Sequence, residues 1–125
     1  MMDRWESQYS FWSSFGVPAY EENSVPDADE ITFPYITYQG VSGGFNADVP
    51  VSASIWTRSP SWLSADTLAD VIEAKLGGRN GGGYVQRHDG GGIWITAENN
   101  FAQNMGDPED DLIKRKLLSV VLRFI

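Results

Sequence analysis

The last fourteen or so residues constrain the fold more than any other part of the chain. Over residues 112–125, Leu118, Val120, Leu122 and Phe124 recur with a strict period of two, while Ile113, Leu117, Val120, Val121 and Phe124 keep helical spacing. A helix here would be apolar nearly all round. A strand has one clean apolar face and a second face interrupted by Ser119 and Arg123, so strand is the reading that leaves a wet side. At ~3.3 Å per residue the segment would reach on the order of 46 Å, longer than the usual strand of ~3 to 10 residues. It is therefore expected to bulge or to leave its own domain. Lys114 and Lys116 share parity with the apolar set, and one pleated face cannot bury both kinds of side chain unless the lysine end projects past the core.

A strand with one apolar face needs strand neighbours and a covering layer, and the rest of the chain supplies both. PYITYQ at 34–39 reads as a strand with Pro34 at its start or on an edge. After a turn at Gly43 and Gly44, residues 48–57 alternate Val49, Val51, Ala53, Ile55 and Thr57 with smaller or polar neighbours, the pattern of an antiparallel hairpin partner. Ser59 as cap, Pro60 in the first turn and Gly77 at the end bracket a helix whose stripe is Ala65, Leu68, Ala69, Ile72 and Leu76, with Asp66, Asp70 and Glu73 on the wet side. Two short strands, 84–87 and 92–96, flank an HDGG turn. At the N-terminus Trp5, Tyr9 and Trp12 fall on one stripe of a short helix ended by Gly16 and Pro18. The polar, acidic stretch 19–30 reads as an extended surface arm, long enough to suggest a function.

The expected order is α-β-β-α-β-β-β, an α+β fold with a mostly antiparallel sheet of about five strands flanked by helices. With 125 residues, 42% of them hydrophobic, one domain is expected: an N-terminal helix within 1–18, the acidic arm 19–30 and a core over 31–125. No internal repeat is visible.

Composition removes whole classes of function. The chain has no run of ~18 apolar residues to span a bilayer, and it opens with Asp3, Arg4 and Glu6 where a secretory signal would be apolar. Membrane partners are not expected. It has no cysteine, so disulfide scaffolds, thiolate metal sites and cysteine nucleophiles are excluded, and synthesis in a cytoplasm fits. Nine basic residues against 17 acidic give a net charge of -8, the wrong sign for holding a phosphate backbone. Direct, sequence-specific nucleic-acid binding is not expected. The acidity is local: Asp3, Glu6, Glu21, Glu22, Asp27, Asp29 and Glu30 face only Arg4 within residues 1–40.

Few motifs suggest chemistry. The glycine-rich 77–83 follows a helix, whereas a phosphate loop must precede one, so it reads as a turn. His88 beside Asp89 is the one dyad-like pair, but it sits in the hairpin turn with no serine or metal motif to complete it; a hydrolase using His88 is a remote reading. Asp107, Glu109, Asp110 and Asp111 lack the spacing of a calcium loop. They are followed at once by Lys114, Arg115 and Lys116, a charge dipole suited to head-to-tail contact between identical subunits. The aromatics of the first helix, Trp5, Tyr9 and Trp12, are candidates for the same interface, whereas Trp56 and Trp94 on strands are expected in the core. No catalytic, cofactor or metal residues are assigned. The function classes carried forward are a structural self-assembling protein and a small carbohydrate- or protein-binding module using surface aromatics.

PYITYQ at 34–39, SASIWTRSPSWLSADTLADVIEAKLGG at 52–78, GGGIWI at 90–95, FAQ at 101–103 and DDLIKRKLLSVVLRFI at 110–125 together resemble small virion proteins of long-tailed bacteriophages, the tail-terminator class above all. The resemblance covers most of residues 34–125; the N-terminal helix and acidic arm lie outside it. It implies an α+β subunit of a six-membered ring that ends the tail tube at the head-proximal end of the tail. The implied partners are further copies of the chain, the tail tube protein and a neck or head-completion protein, with DNA passing through the ring. It implies no enzyme activity and no cofactor. Other neck and minor tail proteins have comparable size and related folds, so they stand as alternatives within the same virion.

Overall fold

The computed structural model of the chain describes residues 3–77, 82–106 and 110–125. Its elements in chain order are α1 (Arg4–Trp12) continuing into a 3-10 turn (Ser13–Phe15), β1 (Ala19–Glu21), a 3-10 turn (Ala28–Glu30), β2 (Tyr35–Tyr38), β3 (Asp48–Arg58), α2 (Leu63–Lys75), β4 (Tyr84–His88), β5 (Gly91–Gly106) and β6 (Ile113–Phe124). The fold is α+β as expected, with six strands in the order β1-β2-β3-β6-β5-β4. All pairs are antiparallel except β1 with β2.

The C-terminal segment is a strand, and it lies at the centre of the sheet. β3 pairs with it from Asp48↔Arg123 to Arg58↔Ile113 without interruption. The expectation that so long a strand must itself bulge or leave its domain is corrected by this pairing on both sides. The irregularity falls on β5, where Ala97 faces Val120 but Ala102 faces Leu118, so Glu98, Asn99 and Asn100 are extra residues bulged into solvent. Leu118, Val120, Leu122 and Phe124 are buried on the face that both helices cover. Across the sheet the same face takes in Ile36, Ile55 and Ile93, and α2 lays Ala65, Ala69 and Ile72 over it, with Leu76 just past the helix end.

The helices differ from expectation at their edges. In α1, Asp3 caps, accepting hydrogen bonds from the Trp5 and Glu6 amides at 2.9 and 2.8 Å. The buried side is Ser7, Gln8, Phe11 and Trp12, not the Trp5–Tyr9–Trp12 stripe. Gln8 sets that rotation: its amide nitrogen donates to the Arg4 and Val41 carbonyls, and its oxygen accepts from the Val41 amide at 3.0 Å. The sheet curls so that neighbouring rings of α1 reach two distant strands, Phe11 against Tyr84 of β4 and Trp12 stacked on Tyr38 of β2. α2 begins later than expected, at Leu63, and Ser59 does not cap it; Ser59 and Ser61 instead form hydroxyl turns, accepting from the amides of Ser61 and Leu63. Gly77, at φ +91°, ends the helix in the left-handed region as foreseen.

The acidic arm is shorter than expected. Ala19, Tyr20 and Glu21 form a parallel edge strand on β2, fixed by the Ile36 amide to the Pro18 carbonyl and the Glu22 amide to the Tyr38 carbonyl, both at 2.8 Å. Beyond them residues 22–30 form turns at the sheet edge.

Candidate interaction surface

The sheet has a second face that neither helix covers. The register places there Tyr35 and Thr37 of β2, Ser54, Trp56 and Arg58 of β3, Arg115, Leu117, Val121 and Arg123 of β6, and Trp94 of β5. The two strand tryptophans therefore sit outside the core, half-buried on this outer face, because their parity is that of Arg58 and Arg123 and not that of the buried row. They organise two ridges. At one end Tyr35 stacks on Trp56 at 6.0 Å with an interplanar angle of 9°, and the Arg115 guanidinium lies 5.1 Å from the Trp56 ring. At the other, Arg123 lies 6.0 Å from the Trp94 ring and is held by Asp48 at 2.7 Å. Asp48, Trp94, Thr96, Val121 and Arg123 line a shallow groove of about 420 Å³.

Burial also sets the titration of the sheet tyrosines. Burial, then the neighbouring Tyr20, raises the Tyr35 pKa, and burial, then Glu21 and Tyr9, raises that of Tyr38.

On the helical side the exposed apolar side chains are Trp5 (51% exposed), Tyr9 (52%), Leu63 (72%) and Val71. Leu63 and Val71, with Phe15, Val17, Pro34 and Leu68, border an open apolar groove of about 400 Å³. Trp5 and Tyr9 thus remain available as interface residues. Trp12 does not: it is buried against Phe11 and Tyr38, so its place in the expected interface is corrected.

The charged entry to β6 is not a free dipole. Asp107 and Glu109 lie outside the described residues. Asp110 pairs with Arg58 at 3.1 Å and accepts from the Leu112 amide, while Asp111 is exposed and its carbonyl accepts from Lys114 Nζ. Arg115 donates from Nε to Ser54 Oγ at 3.0 Å. Lys116, expected to project beyond the core edge, is tucked against α2 with its side chain 13% exposed. It donates to Asp66 at 2.5 Å and Asn104 at 2.7 Å, with Nζ 5.9 Å from the Trp62 ring. The correction has a simple cause: α2 extends over this end of the sheet and brings Asp66 with it, so the lysine is covered by a partner instead of overhanging solvent.

His88 closes β4, its Nδ1 2.8 Å from the Asp89 carbonyl oxygen, at the rim of a small depression of about 120 Å³ shared with Arg4, Phe45 and Phe124. Among the described residues no three His, Asp or Glu side chains converge as a metal site would require, and no helix is long and apolar enough to cross a membrane.

Arg123 on the wet face of the last strand and Arg115 as an interface residue are as expected from the sequence, whereas Trp56 and Trp94, expected in the core, lie beside them; the parity of Arg58 with Trp56 is the signal for that placement. No protein-family model matches the chain, and comparison with curated proteins finds no match.

Proposed function

We propose that the chain is a self-assembling structural subunit of the tail-terminator type: a ring of six copies that ends the tail tube of a long-tailed phage and joins it to the neck. In this reading it acts at the head-proximal end of the tail, contacts the tube protein and a neck protein, and has no catalytic step and no cofactor. The observation that carries it is the outer face of the sheet. A sheet this wide buries one face under helices and needs no second layer unless that other face is apolar; here the other face carries Trp56, Trp94, Leu117 and Val121 at half burial beside the buried Tyr35. Subunit contact is the usual way such a surface is covered. The exposed Trp5 and Tyr9 on α1 supply a second contact region of the kind a subunit between two neighbours requires.

The groove beside Trp94 favours one other reading, a carbohydrate-binding module, since an aromatic ring with Asp48, Thr96 and Arg123 around it is the chemistry a sugar takes. Arg123 already lies over that ring and is held there by Asp48, which leaves less of it for stacking. Other neck or minor tail proteins are alternatives of the same class.

The test is native mass spectrometry of the purified protein with negative-stain imaging of it and of virions. Six-copy rings at the head-proximal end of the tail are expected. A virion reconstruction in which the chain stands as an isolated monomer overturns the proposal, and saturable sugar binding at the Trp94 groove by a monomer moves the assignment to the second reading.

A further inference from the structure

Charge is distributed on this molecule in a way that gives any self-association a direction. Four of the six arginines, Arg58, Arg87, Arg115 and Arg123, occupy outer-face positions of β3, β4 and β6. Among the described residues Asp110 pairs with Arg58 and Asp48 with Arg123. A separate group of carboxylates lies at the far edge of the sheet. Beyond edge strand β1 the segment 22–30 exposes Glu22, Asp27, Asp29 and Glu30, contains no basic residue, and contributes to none of the ion pairs among the described residues.

We propose that the outer face of the sheet accepts the acidic segment 22–30 of a second copy of this chain. This rests on the ring reading and specifies its contact. Two outer faces cannot meet each other about a two-fold axis without setting arginines against arginines, which like-charge repulsion disfavours. An edge of one copy meeting the face of the next joins two different surfaces, and such a heterologous contact repeats around a ring until the rotation closes it. The face is prepared for carboxylates. Arg115 lies 5.1 Å from the Trp56 ring with its Nε committed to Ser54, and this leaves the two Nη groups as the fork that a carboxylate takes bidentately.

The experiment is sedimentation velocity in low salt on four samples, with folding checked by circular dichroism. The samples are the wild type, the arm variant Asp27→Lys/Asp29→Lys/Glu30→Lys, the face variant Arg87→Glu/Arg115→Glu, and an equal mixture of the two variants. Wild type is expected to associate, more weakly as salt rises. Each variant alone should associate at least about tenfold more weakly. The mixture should recover, because each reversed arm then meets a reversed face and an even-membered ring can alternate the two. If Arg115→Glu disturbs folding, the exposed pair Arg58→Glu/Arg87→Glu takes its place. A wild type that does not associate, or a mixture that does not recover, overturns the contact. Rings that form equally well from both variants also overturn it while leaving the ring reading intact, and imaging that shows no ring overturns that reading itself.

Discussion

Val120 and Val121 are neighbours in β6 whose environments are opposite, so the pair tests the sheet directly. Val120 is fully buried and faces Val51 and Ala97; Val121 is half-buried on the outer face opposite Pro50 and Thr96. Val120→Asp forfeits roughly 1.5–3 kcal/mol of side-chain burial. The new carboxyl has no partner in an apolar site and stays in place by remaining protonated, which at pH 7 costs about 4 kcal/mol for a group of ordinary pKa ~3.9. An unsatisfied neutral carboxyl adds roughly 1–3 kcal/mol. The result, about 7–10 kcal/mol, is of the order of the whole stability expected of a domain this size, about 6–19 kcal/mol. The sign of its pH dependence follows. The native state keeps the proton and the unfolded chain loses it above ~3.9, so the deficit relative to wild type grows with pH, and acidifying from 7 to 4.5 should return about 3 kcal/mol. Val121→Asp should cost less than about 1 kcal/mol at either pH. Urea unfolding followed by circular dichroism at the two pH values reads all of this. Equal losses at the two positions, or a Val120→Asp deficit that does not shrink in acid, would refute the assigned register.

Lys116→Met keeps the aliphatic stem beside Trp62 and removes the bonds to Asp66 and Asn104; because Asp66 is half exposed, the expected loss in urea unfolding is about 1–2 kcal/mol, with Lys116→Glu losing more. Thr57 Oγ1 is buried without a hydrogen-bond partner among the described residues, so the near-isosteric Thr57→Val should raise stability by about 1 kcal/mol, seen as a higher urea midpoint. The raised pKa of Tyr35 and Tyr38 relative to 10.0 means that the unfolded chain ionises first: their contribution is whole below pH 10.0 and is lost as pH rises through the higher native values. Ultraviolet titration should show these two phenols ionising above the ordinary phenol value of 10.0, and Tyr35→Phe should flatten the alkaline loss.

What could be read in the sequence was periodic, and what could not was decided by partners far along the chain. The apolar parity of β6 and β3 is strict, so strand, face and antiparallel pairing all follow from it. β1 has three residues, Ala19–Glu21, too few for a period, and it is a strand only because the amides and carbonyls of β2 meet it. In α1 the spacing put Trp12 on one stripe with Trp5 and Tyr9, yet Trp12 is buried and the other two are exposed, because the buried side is set by Gln8 bonding to Val41, thirty-three residues away, a pairing no local pattern encodes. Lys116 shows the same limit: its parity was legible, but the aspartate that makes its burial tolerable belongs to α2. As for the candidate surface, Trp5, Tyr9, Arg115 and Arg123 were legible in the sequence, whereas the outward place of Trp56 and Trp94 follows only when parity outranks residue type.

The alternation that splits β6 between two tasks also ties them together. Leu118, Val120 and Leu122 hold the helices, while Arg115, Val121 and Arg123 face outward from the same backbone, and a slip of one residue would exchange the two sets. The unbroken β3 pairing on one side and the bulge at residues 98–100 on the other fix that register. The outward side chains are further restrained: Arg115 by Trp56 and Ser54, Arg123 by Asp48. A partner docking on this face therefore meets an Arg115 that has already lost much of its rotamer freedom on folding, and the ordering cost of association falls by about 0.5–1.5 kcal/mol for that side chain. Replacing Trp56 with leucine should in consequence weaken self-association through loss of this restraint while leaving the buried row, and with it the helix packing, in place.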